Sequence, residues 1–345
     1  MFGDPRRFVE AFCLPFVLLL AGCAFGATGT SAVSNAAPSV QRIGSRTAPI
    51  RTIVVANAFD TVTAYSVFAN GNVVPIRTIA GAKTGLDVPF DLAQDRGGRL
   101  YVTNARSASP SITVYPAGAN GDVAPIQTIA GSETGLSVPK GIAIQRDREI
   151  YVVDGYGDRS RIAIFAAGSN GNVPPLRTIS GPHTGLDHPE GIAIDTNGYI
   201  YVTNRPRNDN SVKVYPPGAS GDTAPVRTVR GPHTRLENFV HGIGLDTAGR
   251  IYVAISTVSV AKGEVLVFAT GANGDVAPVQ EISGSKTGLN TSEGLAVLNG
   301  RLYVGNYYAD SITVYPTGAS GDSPPIQTIA GSNTGLQRPS GVIVP

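Results

Sequence analysis

The sequence predicts an all-β protein: a six-bladed β-propeller of four-stranded antiparallel blades, closed by its C-terminal strand. Three observations carry this. A Gly-Asp or Gly-Asn pair followed by a proline and a short apolar run recurs from Gly71, Gly121, Gly171, Gly221, Gly274 and Gly321, at spacings of 50, 50, 50, 53 and 47 residues. Each unit holds four short runs of β-branched or aromatic residues bounded by turn residues. The two chain ends are complementary, since the repeat region starts without an inner strand and finishes with a spare one.

Composition agrees with this class. The 345 residues include 42 Gly and 25 Pro, with 42% hydrophobic and only 15% charged residues, so the chain can build a core between many tight turns and is not a disordered or collagen-like polymer. A formal net charge of +2 leaves no concentrated basic face for a phosphate backbone, so no nucleic-acid partner is expected.

Residues 1–22 read as a signal peptide. Arg6 and Arg7 precede the apolar stretch Phe8 to Leu20, which is interrupted by Glu10 and Pro15 and is shorter than the roughly 20 residues that span a bilayer. The stretch ends in Leu20-Ala21-Gly22-Cys23, which resembles the lipobox of bacterial lipoproteins. That resemblance implies lipidation of Cys23, attachment to the membrane through this lipid only, and, because Ala24 replaces the inner-membrane retention aspartate, a place at the outer membrane or cell surface. Residues 23–47 are mostly Ala, Gly, Ser and Thr and read as a flexible tether.

Residues 48–345 form the repeats. In the second unit the runs are Asp91 to Gln94, Leu100 to Asn104, Ser111 to Tyr115 and Pro125 to Ile129, and Asn120-Gly121 supplies the positive-φ turn that antiparallel neighbours need. Strands nearest the axis must alternate a packing residue with a small one, as Ile142-Ala143, Ile192-Ala193, Ile243-Gly244 and Leu295-Ala296 do. The next runs outward in the third unit are Ile150 to Val152, Arg161 to Phe165 and Leu176 to Ile179. The first unit offers only Ile53 to Asn57, Thr61 to Phe68 and Val74 to Ile79, so Gly341 to Val344 is expected to complete it.

The phrases Pro139-Lys140-Gly141-Ile142-Ala143-Ile144 with Ile150-Tyr151-Val152-Val153-Asp154, and Pro189-Glu190-Gly191-Ile192-Ala193-Ile194-Asp195 with Ile200-Tyr201-Val202-Thr203-Asn204, resemble NHL repeats. Asparagine after the second strand (Asn104, Asn204, Asn306) makes the units similar to YVTN-type propellers as well. The resemblance implies the propeller fold and leaves activity open, because NHL-like propellers include scaffolds, peptide-processing lyases and lactonase relatives.

Strand direction places the outer-to-inner crossings and the second-to-third loops on one face. The turns of Gly118 to Asp122 type, nearly identical among blades, are expected on the other. The loops of the first face differ from blade to blade, which marks it as the binding face. Its Tyr156, Arg159, Arg205, Arg207, Tyr307 and Tyr308 belong to residue types favoured at interfaces. The position just before each inner strand reads Phe90, Lys140, Glu190, His241, Glu293 and Ser340 round the channel mouth.

Lys140 beside Glu190 predicts a solvated ion pair. His241 between Glu190 and Glu293 predicts an imidazole with a raised pKa, able to hold a divalent metal (Ca, Mg or Zn) or to act as a general base. This position also resembles the one at which gluconolactonase-type propellers carry metal ligands, and Glu190-Gly191 and Glu293-Gly294 match that pattern. His183, His188 and His233 fall in the crossings and are read as turn or surface residues, and Asn104, Asp154 and Asn204 as bonding their own turns. The expected function is a membrane-tethered, monomeric, non-catalytic module of the cell envelope that binds a protein, peptide or glycan. The alternative is a metal-dependent lactonase- or lyase-like enzyme, so catalysis is left open.

Overall fold

Four short strands cannot cover both of their own faces, so blades of this kind must stack around an axis. The computed structural model describes residues 51–106, 108–145, 149–205, 210–257 and 262–345. The expected signal segment 1–22, the expected anchor Cys23, the expected tether 23–47 and Arg207 lie outside them. Six four-stranded sheets make the ring. Within blade three the order from axis to rim is Pro139–Gln145, Glu149–Asp154, Arg161–Ala166 and Arg177–Ile179, and every neighbouring pair is antiparallel. Pro339–Ile343 pairs with Thr52–Asn57, Ala56 lying opposite Gly341, so the last strand completes blade one as expected. Among the described residues no helix is long and apolar enough to cross a membrane.

The core lies between the blades. Tyr101 of blade two, for example, packs with Ile142, Ile150, Val152 and Phe165 of blade three, and each of the other junctions has an equivalent apolar cluster.

The outer strands are shorter than expected. They begin at Arg77, Gln127 and Arg177 rather than at Val74, Pro125 and Leu176. Proline has no N–H to give to the ladder, and the first bond after Pro125 is donated by Ile126 N to Val114 O at 2.8 Å.

The preceding turn docks beside the outer strand of the preceding blade. Gly121 N donates to Thr78 O (2.6 Å), Thr78 N to Asn120 Oδ1 (2.8 Å) and Lys83 N to Asp122 Oδ1 (2.7 Å). The same glycine bridge recurs at all six junctions, so these near-identical turns are clasps between blades. His183 and His233 complete two of them, their Nδ1 atoms lying 2.5 and 2.7 Å from Asp222 and Asp275 Oδ2.

Candidate functional site

The residues expected at the channel mouth are aimed there by a β-bulge repeated in every blade. In blade three Pro139 pairs with Asp154 and Ile142 with Val152, so Lys140 and Gly141 together oppose Val153. The same two-against-one register places Phe90, Glu190, His241 and Glu293, while Ser340 is the extra residue in blade one. Such a bulge turns a side chain out of the sheet.

The glycine that follows lets the inner strands close around the axis. A Cβ on Gly141, Gly191, Gly242 or Gly294 would lie 2.5–2.8 Å from the backbone oxygen of the next blade's ring residue. Blade two breaks this pattern with Asp91. Its Oδ2 accepts the amide of Ile142 (3.1 Å), and it lines the axial cavity with Phe90, Glu190, His241, Glu293 and Ser340.

The expected convergence is therefore observed, but the electrostatics differ. Lys140 and Glu190 are not a solvated pair: they are 3% and 2% exposed, Lys140 Nζ donates to Glu190 Oε1, and Arg205 Nη2 forms an ion pair with the same oxygen at 2.8 Å. Arg205, expected among the face loops, thus belongs to the ring. The charged arc is a cation–carboxylate–cation triad in which Lys140 and Glu190 are buried and Arg205 is partly exposed.

The expectation for His241 is reversed in sign. Burial, followed by the charges of Arg205 and Lys140, lowers its pKa to about 3, so the ring is neutral and its Nε2 lies 2.8 Å from Ser256 Oγ. Glu293 is pushed up to about 8 by burial and then by the Glu190 carboxylate, and Asp91 to about 7 by burial against the opposing amides of Leu92 and Ile142. At neutral pH the mouth presents a protonated Glu293 carboxyl rather than a second carboxylate. Among the described residues no three His, Cys, Asp or Glu side chains stand close enough to hold a metal ion in this arrangement.

Aromatic rings and cations alternate around the mouth. Lys140 Nζ lies 4.4 Å from the Tyr156 ring centroid and 5.8 Å from that of Phe90, and Tyr156 packs on His188 at 5.0 Å. Arg205 lies over Phe239 at 4.9 Å. Arg338 lies over Phe59, Tyr307 and Tyr308 at 5.1, 5.6 and 5.8 Å, and the two tyrosines meet edge-on. Val88, His188, Thr291 and Arg338, each two residues before a ring position, adopt positive φ near 50°. Three of these strained residues are held by the preceding blade, whose Asp60, Ser160 and Asp310 accept the amides of Val88, His188 and Arg338.

Of the remaining predicted residues, Ser340 Oγ is tied to Ala56 O and Pro89 O and joins blades one and two, and Arg159 is exposed and touches none of these clusters. Asn104, Asp154 and Asn204 accept the amides of Asp87, Ser137 and Asp187, so each anchors the incoming crossing of its own blade. Asp91, Phe59, Phe239 and Arg338 escaped the sequence reading, and His188 joins the mouth although it was read as a turn residue. Asp91 alone had a signal, as the break in the glycine column.

No family model matches the sequence, nor does any curated protein. Solved structures do match. A nidogen/laminin complex aligns with TM-score 0.58 at 16% identity, a Bacteroides caccae protein of unknown function with 0.58 at 11%, and the Pseudomonas aeruginosa periplasmic gluconolactonase PpgL with 0.52 at 15%. Each match covers 85% of this chain and 98% of the other. At these identities the likeness shows the fold, and that fold is the six-bladed β-propeller.

Proposed function

We propose that the protein is an NHL-like, lipid-anchored module of the bacterial cell envelope that binds a protein, peptide or glycan through the loop face around the axial mouth. One observation carries the reading. Phe59, Tyr156, Phe239 and Tyr308 are 54%, 44%, 39% and 62% exposed on this face, and each is within cation–π range of Arg338, Lys140 or Arg205. Rigid aromatic surface held by cations favours contact with a partner, since Tyr, Trp and Arg dominate binding hot spots. The triad beneath carries one net positive charge and acts as a platform. The lipid on Cys23 supplies the anchor, and the tether holds the propeller clear of headgroups.

The test compares capture of envelope components by the wild-type protein and by Tyr156→Ala/Phe239→Ala/Tyr308→Ala. Loss of the captured ligand with an unchanged melting temperature is expected. Equal capture by both proteins would place binding elsewhere.

A second reading, a metal-dependent lactonase- or lyase-like enzyme, draws on the Glu293 carboxyl, which lines the cavity without a hydrogen-bond partner among the described residues. A metal would have to deprotonate it and draw His241 from Ser256. Stoichiometric calcium, magnesium or zinc in the purified protein, lost in Glu293→Gln, is the outcome that would favour this reading over the first.

A further inference from the structure

The second strand of five blades carries a tyrosine at one register position: Tyr101, Tyr151, Tyr201, Tyr252 and Tyr303, all buried between their own blade and the next. In blades three and four an outer-strand arginine reaches its hydroxyl, Arg177 Nη2 and Arg227 Nη2 donating to Tyr151 and Tyr201 Oη at 2.9 Å each. Arg177 and Arg227 also lie over the rings, at 5.7 and 5.4 Å. Blade one keeps the arginine, Arg77, and lacks the ring: Val54 stands in the tyrosine position. Its neighbour on the third strand is Ala64, where the other blades have Val114, Ile164, Val214, Val267 and Val314.

Both truncations face one solvent-open cleft between blades one and two. Val54, Val62, Ala64, Ile79 and Leu100 form apolar walls, and Arg77 lies among them. No hydrogen bond or ion pair engages the Arg77 guanidinium among the described residues.

We propose that this cleft binds a hydroxyaromatic ring supplied from outside the chain, the ring taking the place of the missing tyrosine and its hydroxyl accepting a hydrogen bond from Arg77. The chain itself supplies the template, since the same pocket walls and the same arginine hold a phenol side chain in blades three and four. The missing side chain leaves apolar walls beside a charged donor, the two features that hold a phenol in the other blades. The cleft opens beside the Gly98 and Pro116–Ala119 turns, at the other end of the blades from the loop face, so it is independent of the ligand proposed there.

The experiment titrates the protein with p-cresol, toluene and N-acetyl-tyrosinamide by calorimetry and thermal shift. One equivalent of p-cresol is expected to bind and raise Tm, with toluene about tenfold weaker or more, as loss of a hydrogen bond to a charged donor predicts. Val54→Tyr should melt higher than wild type and lose p-cresol binding. Arg77→Met, which leaves the walls intact, should bind p-cresol no better than toluene. N-acetyl-tyrosinamide binding alongside p-cresol would identify a chain-borne tyrosine as the source, and p-cresol binding alone a free small molecule. Absence of saturable p-cresol binding to wild type, equal affinity for toluene, or undiminished binding by a folded Val54→Tyr would overturn the proposal.

Discussion

Glu293 and His241 sit one blade apart at the same bulge position, yet burial moves them so that both are neutral near pH 7. Glu293 has a folded pKa of about 8 against an ordinary value of 4.5, so the native state holds a proton that the unfolded chain releases. Its contribution is fully present below about 4.5 and is lost as pH rises to about 8. For His241, with about 3 against 6.5, the unfolded state binds the extra proton, so its contribution is fully present above about 6.5 and is lost as pH falls towards about 3. Urea titrations at pH 5 and pH 8 should therefore show Glu293→Gln gaining on wild type at the higher pH, by on the order of 1–3 kcal/mol. An unchanged difference at the two pH values would mean that Glu293 is already ionised at pH 5. Glu190 works differently, because its carboxylate is the counter-charge for Lys140 and Arg205. Replacing it by Gln leaves buried cations facing one another and should cost about 3–5 kcal/mol in chemical denaturation. A cost under 1 kcal/mol would instead describe a surface pair.

At the scale of the element, the inner strand combines a bulge, which aims a side chain into the mouth, with a glycine, which lets the next strand approach. Gly242 shows how tight that approach is, since a Cβ there would lie 2.5 Å from Glu293 O, a backbone atom that cannot swing aside. Gly242→Ala should destabilise by about 1–3 kcal/mol or more. Gly168→Ala is the matched control, because that glycine has no atom within 4 Å and no positive φ. Equal melting temperatures for the two variants would show that the inner ring has slack. Repetition makes such columns readable in the sequence: a packing residue followed by a small one, repeated in four blades, identified the axial strand. Exceptions in a column carry as much information. Asp91 in the glycine column and Val54 in the tyrosine column mark a carboxyl at the axis and a cleft between blades. The bulge left no such trace, because it depends on how two strands register and not on either alone.

For the whole molecule, closure is the decisive event. The ring is joined at the axis by Pro339–Ile343 on Thr52–Asn57, and near the rim by Gly71 N donating to Thr328 O at 2.6 Å. Removing residues 339–345 exposes the apolar second strand of blade one and leaves its ladder unpaired, so the truncated protein should unfold at a markedly lower temperature than the full chain. A truncation that melts like wild type would show that the rim clasps alone hold the ring.

By itself the sequence determined the number of blades, the strands in each, the strand that closes the ring and the six positions that meet at its mouth. All of these follow from periodicity and chain direction, which are properties of neighbours along the chain. The tertiary structure decided the chemistry of the mouth. Whether His241 is charged, whether Lys140 and Glu190 are wet, and that Arg205 and Arg338 leave their loops to join the rings of other blades depend on burial and on partners 15 to 279 residues away, from Ser256 beside His241 to Phe59 beneath Arg338. Desolvation and Coulomb energies are set by those surroundings, and no local pattern of residues encodes them.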